Sequence, residues 1–364
     1  MGLYRNLYIK SSHKNYKLKK FKLVIHKLTH WEYWPFDIVY IPMYFVWFYY
    51  AAKARSFFFF NAANPRIKNA GFLMESKNEI YNIIPGKFIP KTLFFKYGIA
   101  AGDIIKDVAA SGISFPCIAK PDIGGKGRGV EKIFELNDIA TYAAKIKMDF
   151  LVQEFIAYPQ EVGIFYCRMP DQPDGFITGI VAKEFLIVKG DGSSTLTQLI
   201  EKDPRYHFQL TALQKIYGQG LNTIMQKDEI KNLVPYGNHA RGAKFIDVSH
   251  WADETFTKNF DRVCKQVPEF YFGRLDIMYS NFEDLKAGKN FSIIELNGAG
   301  SEPTHIYDPK HSIFFAWKEI ARHFNLLCNI SIKNHKRGYK YLTVKEGLQM
   351  FKENKAVVKN LEQF

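Results

Sequence analysis

The chain has 364 residues, 47% of them hydrophobic and 16% aromatic, so it can bury a sizeable core and is not of the disordered or low-complexity class. Its 50 basic and 36 acidic residues leave a net charge of +14, which favours an anionic partner such as a nucleotide or an anionic lipid. Cys117, Cys167, Cys264 and Cys328 match no zinc or redox spacing and read as reduced core thiols of a cytoplasmic protein.

The charge is unevenly placed. Arg5, Lys10, Lys14, Lys17, Lys19, Lys20, Lys22 and Lys27 all precede the first acid, Glu32. This basic segment lacks the apolar core and small-residue cleavage site of a signal peptide, so no export is expected. The most apolar stretch follows, "WEYWPFDIVYIPMYFVWFYYAAKARSFFFF" at 31–60, with 15 uncharged residues from Ile38 to Ala52. That run falls short of the roughly 20 residues a membrane-crossing helix needs, and Pro42 interrupts it, so no span is expected. Trp31, Tyr33, Trp34, Trp47, Tyr49 and Tyr50 combine apolar bodies with polar tips beside the basic run. The pattern predicts a helix lying on an anionic membrane surface, hence a peripheral cytoplasmic protein; a core helix or a homodimer face is the alternative. No nucleic-acid partner is expected, because the cations cluster beside aromatics rather than along a stacking groove.

From Asn64 onward, turn signals and apolar runs alternate. Strands are predicted at 115–120, 130–134, 150–155, 161–167, 176–188, 243–247, 272–279 and 291–296, and helices at 137–147, 194–201, 254–266, 312–326 and 344–355. This order implies α/β or α+β layers rather than a helix bundle. Residues 333–364 read as a basic loop followed by an amphipathic helix.

Three segments carry chemistry. "FPCIAKPDIGGKGRGV" (115–130) runs a buried strand into Lys120, then places Gly124, Gly125, Gly127 and Gly129 around Lys126 and Arg128. It enters a second strand rather than a helix, so it is no Walker loop; a glycine-rich hairpin can instead lie over phosphates as a flap. "FLVQEFIAYPQEVGIFY" (150–166) sets Glu154 and Glu161 on either side of Tyr158-Pro159, where one can meet the base end of a nucleotide and the other a ribose. In "FGRLDIMYS…FSIIELNGAGSEPTH" (272–305), Asp276 lies in one apolar strand, while Glu295 and Asn297 share one side of another. Such hard oxygen donors suit Mg²⁺; a salt-bridge network with Arg274 is the plainer reading.

In this order the motifs resemble the ATP-grasp superfamily of carboxylate-amine ligases, with greatest similarity to the D-alanine:D-alanine ligase and cyanophycin-synthetase-like branches over roughly 75–330. "VKGDGSSTLTQLI" (188–200) and "NHARGAKFIDVSH" (238–250) are similar to segments of the second branch. The resemblance implies two subdomains gripping ATP, divided as 71–158, holding a pre-grasp remnant and the glycine loop, and 159–332, holding the metal site. A membrane-surface segment 1–70 precedes them and a basic loop and helix 333–364 follow. It further implies Lys120 on the α/β-phosphates and Gly124, Gly125, Lys126, Gly127, Arg128 and Gly129 closing over them. Glu154, Phe155, Ile156 and Ala157 would hold adenine, and Glu161 the ribose. Asp276, Glu295 and Asn297 would carry Mg²⁺, with Mn²⁺ as a substitute, and Arg274 with Arg241 would steady the transferring phosphoryl group. Lys77 matches an earlier phosphate lysine, with Lys87 and Lys91 as rivals.

The implied reaction forms an amide through an acyl phosphate, releasing ADP and phosphate, on small-molecule or lipid-linked carboxylate and amine substrates. A catalytically inactive, membrane-docking nucleotide module is the alternative. Residues 1–70 are unlike the family's usual first domain, so no particular substrate is carried over. His239, His250, His305 and His311 read as solvated loop histidines.

Overall fold

The apolar runs of the sequence do form strands, and the α/β expectation holds. A computed structural model describes residues 21–234 and 242–364. In chain order the strands are β1 (Thr92–Phe95), β2 (Cys117–Pro121), β3 (Glu131–Ile133), β4 (Phe150–Glu154), β5 (Gln160–Cys167), β6 (Phe176–Glu184), β7 (Leu186–Lys189), β8 (Ile230–Val234), β9 (Lys244–Asp247), β10 (Phe272–Tyr279) and β11 (Phe291–Asn297). Two units are separable, one of residues 1–44, 185–244 and 307–317, the other of 45–184, 245–306 and 318–364.

The second unit carries both larger sheets. One has the order β1-β4-β2-β3 and the other β11-β10-β5-β6-β9. Strand β10 shows why the second sheet holds both a core and a polar site. Leu275 and Ile277 point to one face, where they join Val162, Ile164 and the helix Glu254–Cys264 through Phe256, Phe260 and Val263. Phe272, Arg274 and Asp276 point to the other, where Phe272 packs with Phe165, Cys167, Leu327 and Ile330. Each fully buried Phe or Ile here contributes roughly 1.5–3 kcal/mol, so the apolar positions fix the register that aligns the polar ones.

Several boundaries differ from the sequence reading. The run 176–188 is broken at Phe185 into β6 and β7. Residues 333–336 are the last turn of the long helix Ile313–Lys336 rather than loop; a capping box between Thr343 and Glu346 then starts Val344–Glu362. Strands β1 and β8 and the helices Lys77–Ile83, Ala101–Ser111 and Leu210–Tyr217 were not anticipated. All four cysteines are free and buried.

The helix Phe36–Ala54 continues through Pro42, and among the described residues no helix is long and apolar enough to cross a membrane. Of the aromatic residues expected at an interface, Trp31 faces inward instead and Trp47 is half-buried. Trp31 is 7% exposed, stacks on Tyr307 and donates its indole N–H to the His311 carbonyl at 2.8 Å. Trp47 packs against Phe59, Phe60 and Phe324, with ring centroids 4.8, 5.9 and 5.1 Å away. Ile38, Ile41, Phe45, Phe48 and Tyr49 remain exposed on the same helix.

In the first unit, β7 and β8 pair antiparallel beside a core of Leu186, Val188, Leu196, Ile200 and Leu213. The "GDGSST" segment folds on itself there. Asp191 accepts bonds from the backbone and hydroxyl groups of Ser193 and Ser194 and from Lys202, and these hold its carboxyl well below the usual range. That segment thus has a local structural purpose, as an Asx turn that leads into the cap of the helix Leu196–Ile200.

Candidate functional site

Lys120, at the end of β2, is 8% exposed and enclosed by neutral groups. Its Nζ donates to Tyr81 Oη and Gln153 Oε1, both at 2.7 Å, and to the Ile294 carbonyl at 3.3 Å. Tyr81 donates to the same carbonyl at 2.5 Å, so these two residues join the β2 sheet to β11. Burial pulls the Lys120 ammonium down to about 8, with Glu295 only partly opposing it. A lysine held this way lacks a bonded carboxylate and gains most from an incoming anion.

Lys77 opens the helix Lys77–Ile83, whose start is tied to the residue after β2: Asp122 Oδ1 accepts from Ser76 Oγ at 3.0 Å and from the Asn78 N–H at 2.9 Å. This directs Lys77 Nζ to the Gly124 carbonyl at 2.6 Å and to within 3.9 Å of Glu295 Oε1. Of its rivals, Lys87 lies over the Phe88 ring at 4.7 Å, and Lys91 Nζ turns toward Gly112. A narrow cleft lined by Glu75, Lys77, Tyr81, Glu295 and Asn297 opens at this point.

Arg274, Asp276, Glu295 and Asn297 share one sheet face because Arg274 pairs with Asn297, and Asp276 with Glu295, in the β10–β11 register. Asp276 is not an open ligand. Both its oxygens accept from Arg274 at 3.0 Å, Oδ1 lies 3.3 Å from Lys183 Nζ, and Asn297 Nδ2 donates to Oδ2 at 3.3 Å. Burial alone would raise the Asp276 pKa, but Arg274 and Lys183 outweigh it and hold the carboxyl below its ordinary value. Lys183 also bridges to Glu161 Oε1 at 2.5 Å, so the residue assigned to a ribose contact stands in an ion pair. Burial would lower the Lys183 pKa, yet Asp276 and Glu161 together raise it. Gly163 makes the arrangement fit: a Cβ there would lie 2.9 Å from Val181 Cγ1, 3.1 Å from Asp276 Oδ1 and 3.2 Å from Arg274 Cδ.

The salt-bridge reading of Asp276 is therefore present in full. Among the described residues, no three His, Cys, Asp or Glu side chains stand close enough to hold a metal. The donor chemistry still fits a hard cation, since Asp276, Glu295 and Asn297 offer oxygens on one face.

Glu154 ends β4 and accepts from the Lys91 N–H at 3.3 Å, while Lys132 Nζ covers the Phe155 ring at 3.9 Å. Phe155, Ile156 and Ala157 then form the link from β4 to β5, joining the two sheets. Gly125 and Lys126 are exposed at the tip of the glycine loop, and Arg128 Nη2 lies 3.8 Å from Glu362 Oε1. Arg241 and His239 lie outside the described residues. His305, expected to be solvated, is buried: its ring lies over Gly179 and its Nε2 is 3.3 Å from Glu319 Oε2. Lys183 is the site residue that the sequence reading missed. Its signal was a lysine within the apolar alternation of "FITGIVAKE".

No family model and no curated protein matches the chain. Among solved structures it is similar to the VanG D-Ala:D-Ser ligase from Enterococcus faecalis, at 15% identity over 72% of this chain and 62% of that one, with a TM-score of 0.41. The D-alanine-D-alanine ligase from Coxiella burnetii gives 8% identity, 78% and 62% coverage and a TM-score of 0.41. A bifunctional glutathione synthetase from Pasteurella multocida gives 15%, 69% and 38%, and 0.36, so the chain spans well under half of that protein's length.

Proposed function

We propose that the chain is an ATP-dependent carboxylate-amine ligase of ATP-grasp type. The observation that carries this reading is a chain of contacts along β10 and β11: Lys77 stands 3.9 Å from Glu295 and Lys120 bonds the neighbouring Ile294 carbonyl, while Arg274, Lys183 and Asn297 close on Asp276 and Lys183 also pairs with Glu161. The proposed working parts are 71–158, with the glycine loop, and 159–332, with the acidic strands, preceded by 1–70 and followed by 333–364.

A carboxylate is a poor acceptor for an amine until a phosphoryl group turns its oxygen into a leaving group, so the task is positioning and charge neutralisation. In this reading Lys77 and Lys120 meet the α/β-phosphates beneath the loop 124–129, and Lys120 exchanges neutral partners for anionic ones. Glu154 through Ala157 hold adenine, and Glu161 meets the ribose once Lys183 turns to a phosphate oxygen. Arg274, with Arg241, faces the transferring group. Asp276, Glu295 and Asn297 would hold Mg²⁺, or Mn²⁺ in its place; when bound it neutralises phosphate charge. The test is hydroxylamine trapping: with Mg·ATP and a panel of carboxylates, an acyl phosphate yields a hydroxamate. One observation favours a second reading, a nucleotide-binding module without turnover: both oxygens of Asp276 are already bonded by cations.

We also propose a peripheral cytoplasmic location on an anionic membrane, with lipid-linked substrates within reach. Ile41, Phe45 and Phe48 recur at helical spacing on the exposed side of Phe36–Ala54, and the basic run from Arg5 to Lys27 lies just before it in sequence. Vesicle flotation tests this, and concentration-dependent dimerisation without vesicle binding would replace it by a homodimer face.

A further inference from the structure

The helix Val344–Glu362 meets the glycine loop at both of its ends. Gly124 and Gly129 begin and close the loop between β2 and β3, with φ of +144° and +69° that favour glycine. Leu361 spans them. A Cβ on Gly124 would lie 2.8 Å from Leu361 Cδ1, and one on Gly129 would lie 3.3 Å from Cδ2, so each methyl meets one leg of the loop. Leu361 is 6% exposed and belongs to the core of Ala119, Ile133, Tyr142 and Val152.

Two further contacts act on the same legs. Phe364 packs edge-on against Tyr142, at 5.4 Å between centroids, and Tyr142 Oη donates to the Gly129 carbonyl at 2.7 Å. On the opposite leg, Lys77 Nζ holds the Gly124 carbonyl at 2.6 Å. Between the legs, Gly125 and Lys126 are exposed.

We propose that Leu361 is a positioning residue for the glycine loop, seating Gly124 and Gly129 so that only residues 125–128 have to order when the loop closes on phosphate. The role of the loop rests on the nucleotide reading; the seat itself does not. Fewer residues to immobilise means a smaller entropic cost of closure, hence tighter Mg·ATP binding from the same contacts. A leucine suits the place because its branch supplies two methyls at one height.

Hydrogen exchange on the full chain without nucleotide, with calorimetric titration of Mg·ATP alongside, tests this. In Leu361→Ala, amides of 122–130 should exchange about tenfold faster while β10 and β11 keep wild-type protection, and Mg·ATP should bind about three- to tenfold more weakly. Leu361→Met should restore most of both. Should Leu361→Ala fail to fold, Phe364→Ala serves, with faster exchange confined to the Gly129 leg. Unchanged loop exchange in the folded variants, or an equal rise over β10 and β11, overturns the seat. Wild-type protein that ignores Mg·ATP would overturn the nucleotide reading, and the exchange result would still decide the seat.

Discussion

Arg274 and Asp276, two residues apart on β10, close a bidentate pair in which Nε–Oδ1 and Nη2–Oδ2 both measure 3.0 Å. Lys183 stands 3.3 Å from the same Oδ1, so one carboxylate balances two buried cations. Asp276→Asn therefore does more than remove a ligand. It should destabilise the fold by about 3–5 kcal/mol, because it leaves Arg274 without its anion and Lys183 with Glu161 alone. Glu295, more than a third exposed, should tolerate Gln within roughly 0.5 kcal/mol. Denaturant unfolding of the two variants checks the contrast, and equal midpoints would refute it. The pH dependence has a definite sign. A carboxyl whose folded pKa is lowered stabilises fully above its unfolded value, about 3.9, and loses that contribution as pH falls below it. The acid limb of Asp276→Asn should accordingly be flatter than wild type below about pH 4.

Lys120 offers a second titration. Burial sets it near 8 in the free protein, and a bound polyphosphate would raise it. Binding then takes up a proton above about pH 8, so Mg·ATP affinity should fall as pH rises from 7 to 9 by about tenfold per unit once past that value. Lys120→Met should bind weakly and show no such slope. Calorimetry in two buffers of different ionisation enthalpy measures the proton directly.

Gly163→Ala places a methyl against Val181, Asp276 and Arg274. Overpacking of this kind costs about 1–3 kcal/mol, and here the give must come from Val181 and from the ion pair beside it. The expected result is a lowered melting temperature together with turnover reduced more than the folded fraction explains. A variant that matches wild type in both would show that the pair tolerates displacement.

Trp47 is half-buried against Phe59 and Phe324, so Trp47→Ser should destabilise by about 1.5–3 kcal/mol. Phe45 and Phe48 point outward, and their double Ser variant should melt like wild type yet release the protein from neutral and anionic vesicles. Replacing Lys14, Lys17, Lys19, Lys20 and Lys22 with Gln should weaken binding to anionic vesicles alone, with each cation contributing about 1 kcal/mol at low salt. Wild-type protein that floats with no vesicle composition would contradict the membrane reading.

Legibility followed burial. Strands such as β4, β5 and β10 were readable because they are apolar runs buried over most of their length, and "FGRLDIMY" and "FSIIELN" showed in sequence the two faces that place Arg274 and Asp276 opposite Asn297 and Glu295. Strand β1, with only its last residue, Phe95, fully buried, lacked that signal. Partnership was harder to see. Nothing local tells whether Asp276 bonds a cation of the protein or one of a ligand, and Lys183 lies 93 positions before the carboxylate it meets. Trp31 and Trp47 misled for a related reason: an aromatic ring with a polar tip suits an interface, but it also suits a core that offers one carbonyl, as His311 does for Trp31.

The product of ATP consumption with Mg²⁺ present, followed over amino acids, short peptides and aminolipids for wild type and Glu295→Gln side by side, decides whether the chain is a ligase. Wild type should release ADP and phosphate, formed only when a carboxylate and an amine are both supplied, and the variant should lose at least about 100-fold with its fold retained. AMP and pyrophosphate as products, or ADP formation that Glu295→Gln leaves unchanged, would contradict it.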